Sequence, residues 1–392
     1  MLQGKESWVL FLLSLFIYGI LGIISPQVGG DTAFYLQLAK DIAGGNLGTL
    51  KYWPLHWLYS GCLSIGYILV PGYFMIFVRV FNIFVAALIP LLFYKISRLI
   101  TGLDRMSFLV SLAVVFYPSF LFWSRYILTD TFFLMVLLWH ILSVLTLLNK
   151  PKSTRALAGL ILSSLAVLFS RPTSLPVLLI STGFILFHRW GKKAMLFLAL
   201  GIVVCTVLLL GIPAAREKIL SLPSVYQSLW LSTRLSSTDI EALTEAYKFE
   251  DEIPPGMSEA EFKLNSFKDF VIRHPVEYAG VCLKKFAAYF YPWVWAKWAL
   301  YHKILDALLS IFLTVIAFYA VLDRRINSYK YYFLLFALGF CLLTVFGQID
   351  SDGRYRLPAE LCILLLLPLI IASWRGDKGF RGRVFAGFNF DL

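Results

Sequence analysis

The chain has 392 residues, 59% of them hydrophobic and only 15% charged, with a mean hydropathy of +0.77 and a formal charge of +12. Soluble domains run near half apolar and about a quarter charged, so a single soluble globule, a fibrous repeat, a disordered chain and a nucleic-acid-binding arm are excluded. A polytopic, all-α integral membrane protein is the expected class. Five scattered cysteines (Cys62, Cys205, Cys282, Cys341 and Cys362), without a CxxC, point to neither a disulfide framework nor a zinc knuckle.

Ten apolar runs reach or approach the roughly 20 residues that a spanning helix needs. They lie at about 8–25, 72–94, 106–122, 131–148, 156–170, 173–187, 194–212, 304–322, 331–347 and 357–374. The first is too long for a signal-peptide core and lacks an A-x-A site, so it is expected to be a retained anchor. Basic residues gather in alternate loops: Lys95, Arg98 and Arg105; Lys150, Lys152 and Arg155; Arg189, Lys192 and Lys193; Arg324, Arg325 and Lys330; and the tail over 375–392 with Arg375, Lys378, Arg381 and Arg383. The positive-inside rule makes these segments and both termini cytosolic. With Lys5 they hold 17 basic residues against five acidic ones (Glu6, Asp104, Asp323, Asp377 and Asp391), an excess equal to the whole +12. The charge is therefore a topology signal, and no nucleic-acid partner is expected.

The opposite face holds two long segments, a first loop over 26–71 and a second over 213–303. In the first, Gly29-Gly30-Asp31-Thr32 opens a helix over 33–43 whose apolar positions are Phe34, Leu38 and Ile42, stopped by Gly44 and Gly45. It is expected to lie on the membrane surface. The stretch 55–70, interrupted by Gly61 and Gly66, reads as interfacial or re-entrant. In the second loop, Ser258 with Glu261 forms a capping box, Leu264, Phe267, Phe270 and Val271 supply an apolar stripe, and Pro275 suits the first turn of a further helix.

Chemistry-bearing residues collect at the outer ends of the spans. Within the spans, Arg79, His140 and Asp306 are the exceptions. Asp31 suits an N-cap before it suits a general base acting on an alcohol, and both roles can coexist. Tyr35 and His56 stand in the same loop as supporting candidates. Asp130 caps a span or holds Arg125 for an anion. Arg171, before Pro172 in a minimal loop, is a headgroup anchor or a phosphate ligand. In Asp350-Ser351-Asp352-Gly353-Arg354-Tyr355-Arg356-Leu357-Pro358, two guanidinium forks flank a tyrosine, a pattern matched to phosphate oxygens. The Asp350 and Asp352 pair reads as a solvated turn before it reads as a divalent-cation site, and no cofactor is expected. No P-loop, dinucleotide fingerprint or HExxH occurs.

An Asp soon after the first span, an amphipathic outer helix, Arg125-x-x-x-x-Asp130 before a later span and a closing Arg354-Tyr355-Arg356-Leu357-Pro358 together resemble the membrane glycosyltransferases of GT-C type that use polyprenyl-phosphate sugars. These include the protein mannosyltransferases and the aminoarabinose lipid A transferases. The segment from Asp269 to Tyr278 also resembles the helix before their late spans. Many relatives carry Asp-Glu where this chain has Asp31-Thr32. The resemblance implies a single transmembrane domain over 1–392 and transfer of a sugar to an acceptor hydroxyl on the extracytoplasmic face, with inversion. It implies Asp31 as base and Arg354, Tyr355, Arg356, Arg125 and Arg171 as ligands of the donor phosphate. Its partners would be the lipid-linked donor, the acceptor and the bilayer. The absence of any Asn-x-Ser/Thr site and the compact length favour a prokaryotic plasma membrane. A lipid-linked-sugar flippase, or a non-catalytic binder of such lipids, is the rival reading.

Overall fold

The computed structural model describes residues 4–24, 27, 31–46, 57–171, 174–191, 253–290, 300–347 and 353–375. Among them every regular element is helical, apart from one isolated parallel bridge between Gln27 and Tyr126. Five helical stretches are long and apolar enough to cross a membrane: Lys5–Ile24, Pro71–Thr101, Thr129–Asn149, Tyr329–Phe346 and Arg356–Trp374. Four shorter apolar helices accompany them, Trp57–Leu69, Thr154–Leu168, Pro176–Trp190 and Ala307–Leu322. The expected run at 194–212 lies outside the described residues. The chain forms two units: Met1–Ile185 with Ile316–Leu335 and Leu361–Leu392, and Leu186–Val315 with Phe336–Glu360.

In the first unit, α1 (Lys5–Ile24) buries Ser7, Leu10, Ser14, Tyr18 and Gly22 and exposes Trp8, Leu12, Phe16, Ile20 and Ile23. Small and hydroxyl-bearing residues on the inner face, with large apolar ones outside, invert the soluble pattern; this is how helices approach closely in lipid. α2 (Thr32–Ala43) packs on α3 (Trp57–Leu69), which in turn meets α4 (Phe74–Thr101). At 13 residues, α3 is about 20 Å long, too short to cross the roughly 30 Å hydrocarbon layer. Gly66 permits its contact with α4: a Cβ there would stand 2.0 Å from the Phe77 ring. α4 carries Pro90 inside it and ends at Gly102, whose φ of 71° is left-handed and closes the helix by returning its N–H to Arg98.

The expected span at 106–122 is instead two helices, α5 (Asp104–Val115) and α6 (Pro118–Trp123). Pro118 has no N–H to extend α5 and serves as the first residue of α6. α7 (Thr129–Asn149) packs on α4 and on α8 (Thr154–Leu168). α9 (Ser174–Trp190) follows. Buried in α7, His140 contacts Ser163 of α8 through Nδ1 at 3.3 Å and Ser181 of α9 through Nε2 at 2.9 Å; Ser181 is 2.9 Å from the Tyr332 hydroxyl. This closed chain of partners explains an imidazole in an apolar span, where hydrogen bonds between helices bind them together.

The later helices are α10 (Glu259–Arg273), α11 (Pro275–Phe290), α12 (Leu300–Leu322), α13 (Tyr329–Gly347), α14 (Gly353–Leu364) and α15 (Leu366–Trp374). Ser258 accepts the Glu261 N–H at 3.3 Å, as the capping box predicts, and Pro275 opens α11. Phe267 and Phe270 meet Tyr278 edge-on and hold the α10–α11 pair together. The expected span at 357–374 begins earlier, at Gly353, and breaks at Leu365, since Pro368 cannot bond to the carbonyl of Leu364. In the first unit, Asp323 at the α12–α13 corner accepts from the Arg325 backbone N–H and guanidinium, from the Tyr319 hydroxyl and from Ser373, while Lys330 caps the Asp323 carbonyl.

Candidate functional site

The N-termini of α2 and α7 and the turn before α9 meet at one end of the first unit. Thr32 is buried and donates its hydroxyl to the Ile127 carbonyl at 2.8 Å, while Thr129 donates to the Tyr35 hydroxyl at 3.3 Å. Backbone pairing of Gln27 with the Arg125 carbonyl at 3.1 Å ties the chain after α1 to the same place. These contacts fix the face of α2 that packs on the protein. Thr32, Tyr35, Leu38 and Ala39 are buried, and Phe34 is exposed. Tyr35 points inward because its ring packs edge-on against Tyr59, 5.6 Å between centroids, and its hydroxyl reaches α7.

Asp31 stands at the N-cap position of α2. Its backbone is helical, and its side chain makes no capping hydrogen bond. Its carboxylate is exposed, and its main contribution to the helix is the carbonyl that accepts the Tyr35 N–H at 3.2 Å. Capping therefore does not account for an acid at this position.

Asp130 lies in the first turn of α7, where a carboxylate is favoured by the unpaired N–H groups. Its partner is Arg171, which donates Nη1 to Oδ1. The pair is nearly closed off, with 13% of the arginine side chain and 5% of the aspartate side chain exposed. The Arg171 guanidinium also lies 5.8 Å from the Phe133 ring centre. The expected alternative, in which Asp130 orders Arg125, is replaced by this longer-range pair. Arg125 rests over the Phe122 ring at 4.9 Å and donates to the Phe122 carbonyl. Burial pushes the Tyr35 phenol above its ordinary pKa; Arg171 and the Thr129 bond oppose the shift, and the charges of Asp130 and Asp31 add to it. Tyr35 is thus a neutral hydroxyl in the shared field of Arg171, Asp130 and Asp31.

Directly beside this cluster is an apolar cleft of about 520 Å³. It is lined by Leu88 and Leu92 of α4, by Phe132, Met135 and Trp139 along one face of α7, and by Phe169 after α8. Phe132 follows Asp130 by two residues and Phe169 precedes Arg171 by two, so the polar cluster and the cleft share the same turns.

The second unit contains the other predicted anion ligands. Arg354 and Tyr355 fall in the first turn of α14, with side chains outside the described set, and His56, Asp350 and Asp352 lie outside it altogether. Arg356 was expected at an open mouth. It is buried, donates Nε to Glu360 Oε1 one turn on, and donates Nη1 to Ser310 of α12 at 3.1 Å. Glu360 is a partner of Arg356 that the motif reading missed; its signal was the Arg356-x-x-x-Glu360 spacing, which places the pair on one helical face. Among the described residues no group of three or more His, Cys, Asp or Glu is placed to hold a metal. No protein-family model, curated protein or solved structure matches the chain.

Proposed function

We propose that the chain is an integral membrane glycosyltransferase of about ten spans that moves a sugar from a polyprenyl-phosphate donor to an acceptor hydroxyl on the extracytoplasmic face. Its place would be a prokaryotic plasma membrane, with both termini cytosolic. One observation carries the reading: Asp31 is exposed and unspent on capping, yet stands beside a buried Tyr35 in the field of the Asp130–Arg171 pair. An acid held there is open to solvent in an ordered electrostatic setting.

The reaction is a single displacement. The Asp31 carboxylate takes the proton of the acceptor hydroxyl as its oxygen attacks the anomeric carbon. The bond from that carbon to the phosphate oxygen breaks on the far side, its electron pair leaves with the phosphate, and the anomeric centre inverts. Arg171, oriented by Asp130, meets the growing negative charge of the leaving phosphate, and Arg125 in the same unit is a second donor. The apolar cleft supports the same reading, since its volume and lining suit an isoprenoid tail next to a polar head. The test is Asp31→Asn, assayed for transfer from labelled polyprenyl-phosphate sugars. Loss of a positioned general base slows transfer by about 10²–10⁴-fold. A folded D31N protein with the wild-type transfer rate would remove Asp31 from the mechanism.

A further inference from the structure

The paired helices α10 and α11 of the second unit expose opposite chemistries. α10 turns a polar side outward: Glu259, Glu261, Asn265, Lys268, Asp269 and Arg273 are exposed, and Phe270 is buried. That is the pattern of a helix bathed in water. α11 is the other way round. Val276, Leu283 and Phe286 are 79%, 69% and 43% exposed, with Ala279 and Ala287 open beside them. Lys285 and Tyr289 are buried. At about 3.6 residues per turn the exposed apolar residues make one continuous stripe, with Lys285 on the opposite side. Turning valine and leucine out and an ammonium in is unfavourable for a helix surrounded by water. Glu277 and Lys284, both exposed and seven residues apart, mark one edge of the stripe, and Phe286 marks the other.

The neighbouring chain says what covers this stripe. α12, one of the proposed spans, has the same inside-out pattern, with Ser310 buried and Leu308, Ile311, Phe312 and Val315 exposed. Nine residues join Phe290 to Leu300, and they include Trp293, Trp295 and Trp298. Such a link reaches at most about 35 Å, and tryptophan favours the membrane–water boundary. The end of α11 is therefore tethered to that boundary. Over 259–290 five basic residues stand against four acidic ones, so net charge draws the pair to no oppositely charged partner. At 16 residues, α11 is about 24 Å long, too short to cross the bilayer. One apolar side and one charged edge suit a helix lying in the plane of the interface.

We propose that α11 is an interfacial helix docked on lipid, with the stripe of Val276, Leu283 and Phe286 among the acyl chains of the outer leaflet and Glu277 and Lys284 at its water edge. α10 faces water. The leaflet follows from the topology proposed above. The partner is the hydrocarbon of a lipid surface, with no particular headgroup required. The proposal uses residues of the second unit alone and stands apart from the transfer chemistry.

The test uses the full-length wild-type protein in nanodiscs. It is photolysed with a phosphatidylcholine that carries a diazirine on its acyl chain and, separately, with a water-soluble diazirine. Trypsin cuts after Lys263, Lys268, Arg273 and Lys284, which separates the outward residues of α10 from those of α11. The 274–284 peptide is expected to take up at least about fivefold more lipid label than the 264–268 peptide, and the water-soluble reagent is expected to reverse that order. The 304–324 peptide from α12 is the reference for lipid contact. If 274–284 takes up the water-soluble reagent as strongly as 264–268 does, α11 faces water and the proposal is wrong. If 274–284 resists both reagents, protein covers the stripe, from a second copy or another segment, which also overturns it. If 304–324 takes up no lipid label, the chain is not seated in the bilayer as described, and the proposal falls with that reading.

Discussion

Replacing Asp130 by Asn keeps the shape of the side chain and removes one charge from the nearly closed Asp130–Arg171 pair. At an effective dielectric near 20, opposite unit charges about 4 Å apart attract by about 4 kcal/mol, against which both desolvation costs must be set. The net value of such a pair is therefore small, but the value of its partner once one member is lost is large. Arg171, 13% exposed, loses its buried carboxylate and cannot recover full hydration, and breaking a buried pair in this way costs about 3–5 kcal/mol. Arg171→Gln should cost a similar amount for the converse reason. The double variant D130N/R171Q removes both charges and should cost no more than either single change, which gives a coupling energy of about 3–5 kcal/mol or more. Unfolding of the four proteins in mixed micelles measures it. Tyr35 provides an internal check, since its hydroxyl lies in the field of both charges. Single changes should alter its environment, seen by tyrosine absorbance, more than the double change does. A coupling under about 0.5 kcal/mol would mean that the pair is solvated like an ordinary surface ion pair, and the account of a fixed Arg171 would be refuted.

Two other predictions concern different parts of the chain. Hydrogen bonds from Arg325 and Tyr319 hold the Asp323 carboxyl well below the usual carboxylate range, and burial opposes this. A depressed folded-state pKa contributes stability that is complete above the ordinary Asp value near 4 and is lost as pH falls through the folded value. Thermal unfolding of wild type should therefore weaken below about pH 4 more steeply than that of Asp323→Asn; parallel pH profiles would contradict this. Filling the cleft by Ala166→Phe, at a position that lines it, should weaken binding of undecaprenyl phosphate about tenfold or more while binding of a short-chain analogue stays unchanged. Equal loss for both lipids would show that the cleft does not take the tail.

The long elements were legible in the sequence for a simple reason. In α1, α4 and α7 the outward side is at least as apolar as the packed side, so hydropathy alone marks them. Local chemistry was legible too: the Ser258 cap and the Pro275 helix start depend on neighbours a few residues apart. The break between α5 and α6 was hidden because hydropathy runs smoothly across Pro118, while the backbone cannot. The protein-packed face of α2 was not legible because Thr32, Tyr35 and Ala39 fit the helical period as well as Phe34, Leu38 and Ile42. The choice came from Ile127 and Thr129, some 95 residues away.

The site followed the same division. Asp31, Tyr35, Asp130 and Arg171 were recognisable one by one as polar residues at span ends, but their grouping was not. The partner of Asp130 is 41 residues along the chain, while the nearer Arg125 looked equally suitable. Glu360 was overlooked because Arg354, Tyr355 and Arg356 form the more conspicuous motif, and an acid inside an apolar run reads as filler until its Arg356 contact is seen.

The central claim, transfer of a sugar from a lipid phosphate, is tested most directly with purified protein in proteoliposomes containing undecaprenyl phosphate sugars labelled in the sugar and, separately, in the phosphate. Given an extract of the cell envelope as acceptor, the sugar label should leave the donor lipid in step with the appearance of free undecaprenyl phosphate, and Asp31→Asn should abolish both. Sugar label that stays on its lipid while the lipid crosses the bilayer, unaffected by Asp31→Asn, would contradict a transferase and identify a flippase instead.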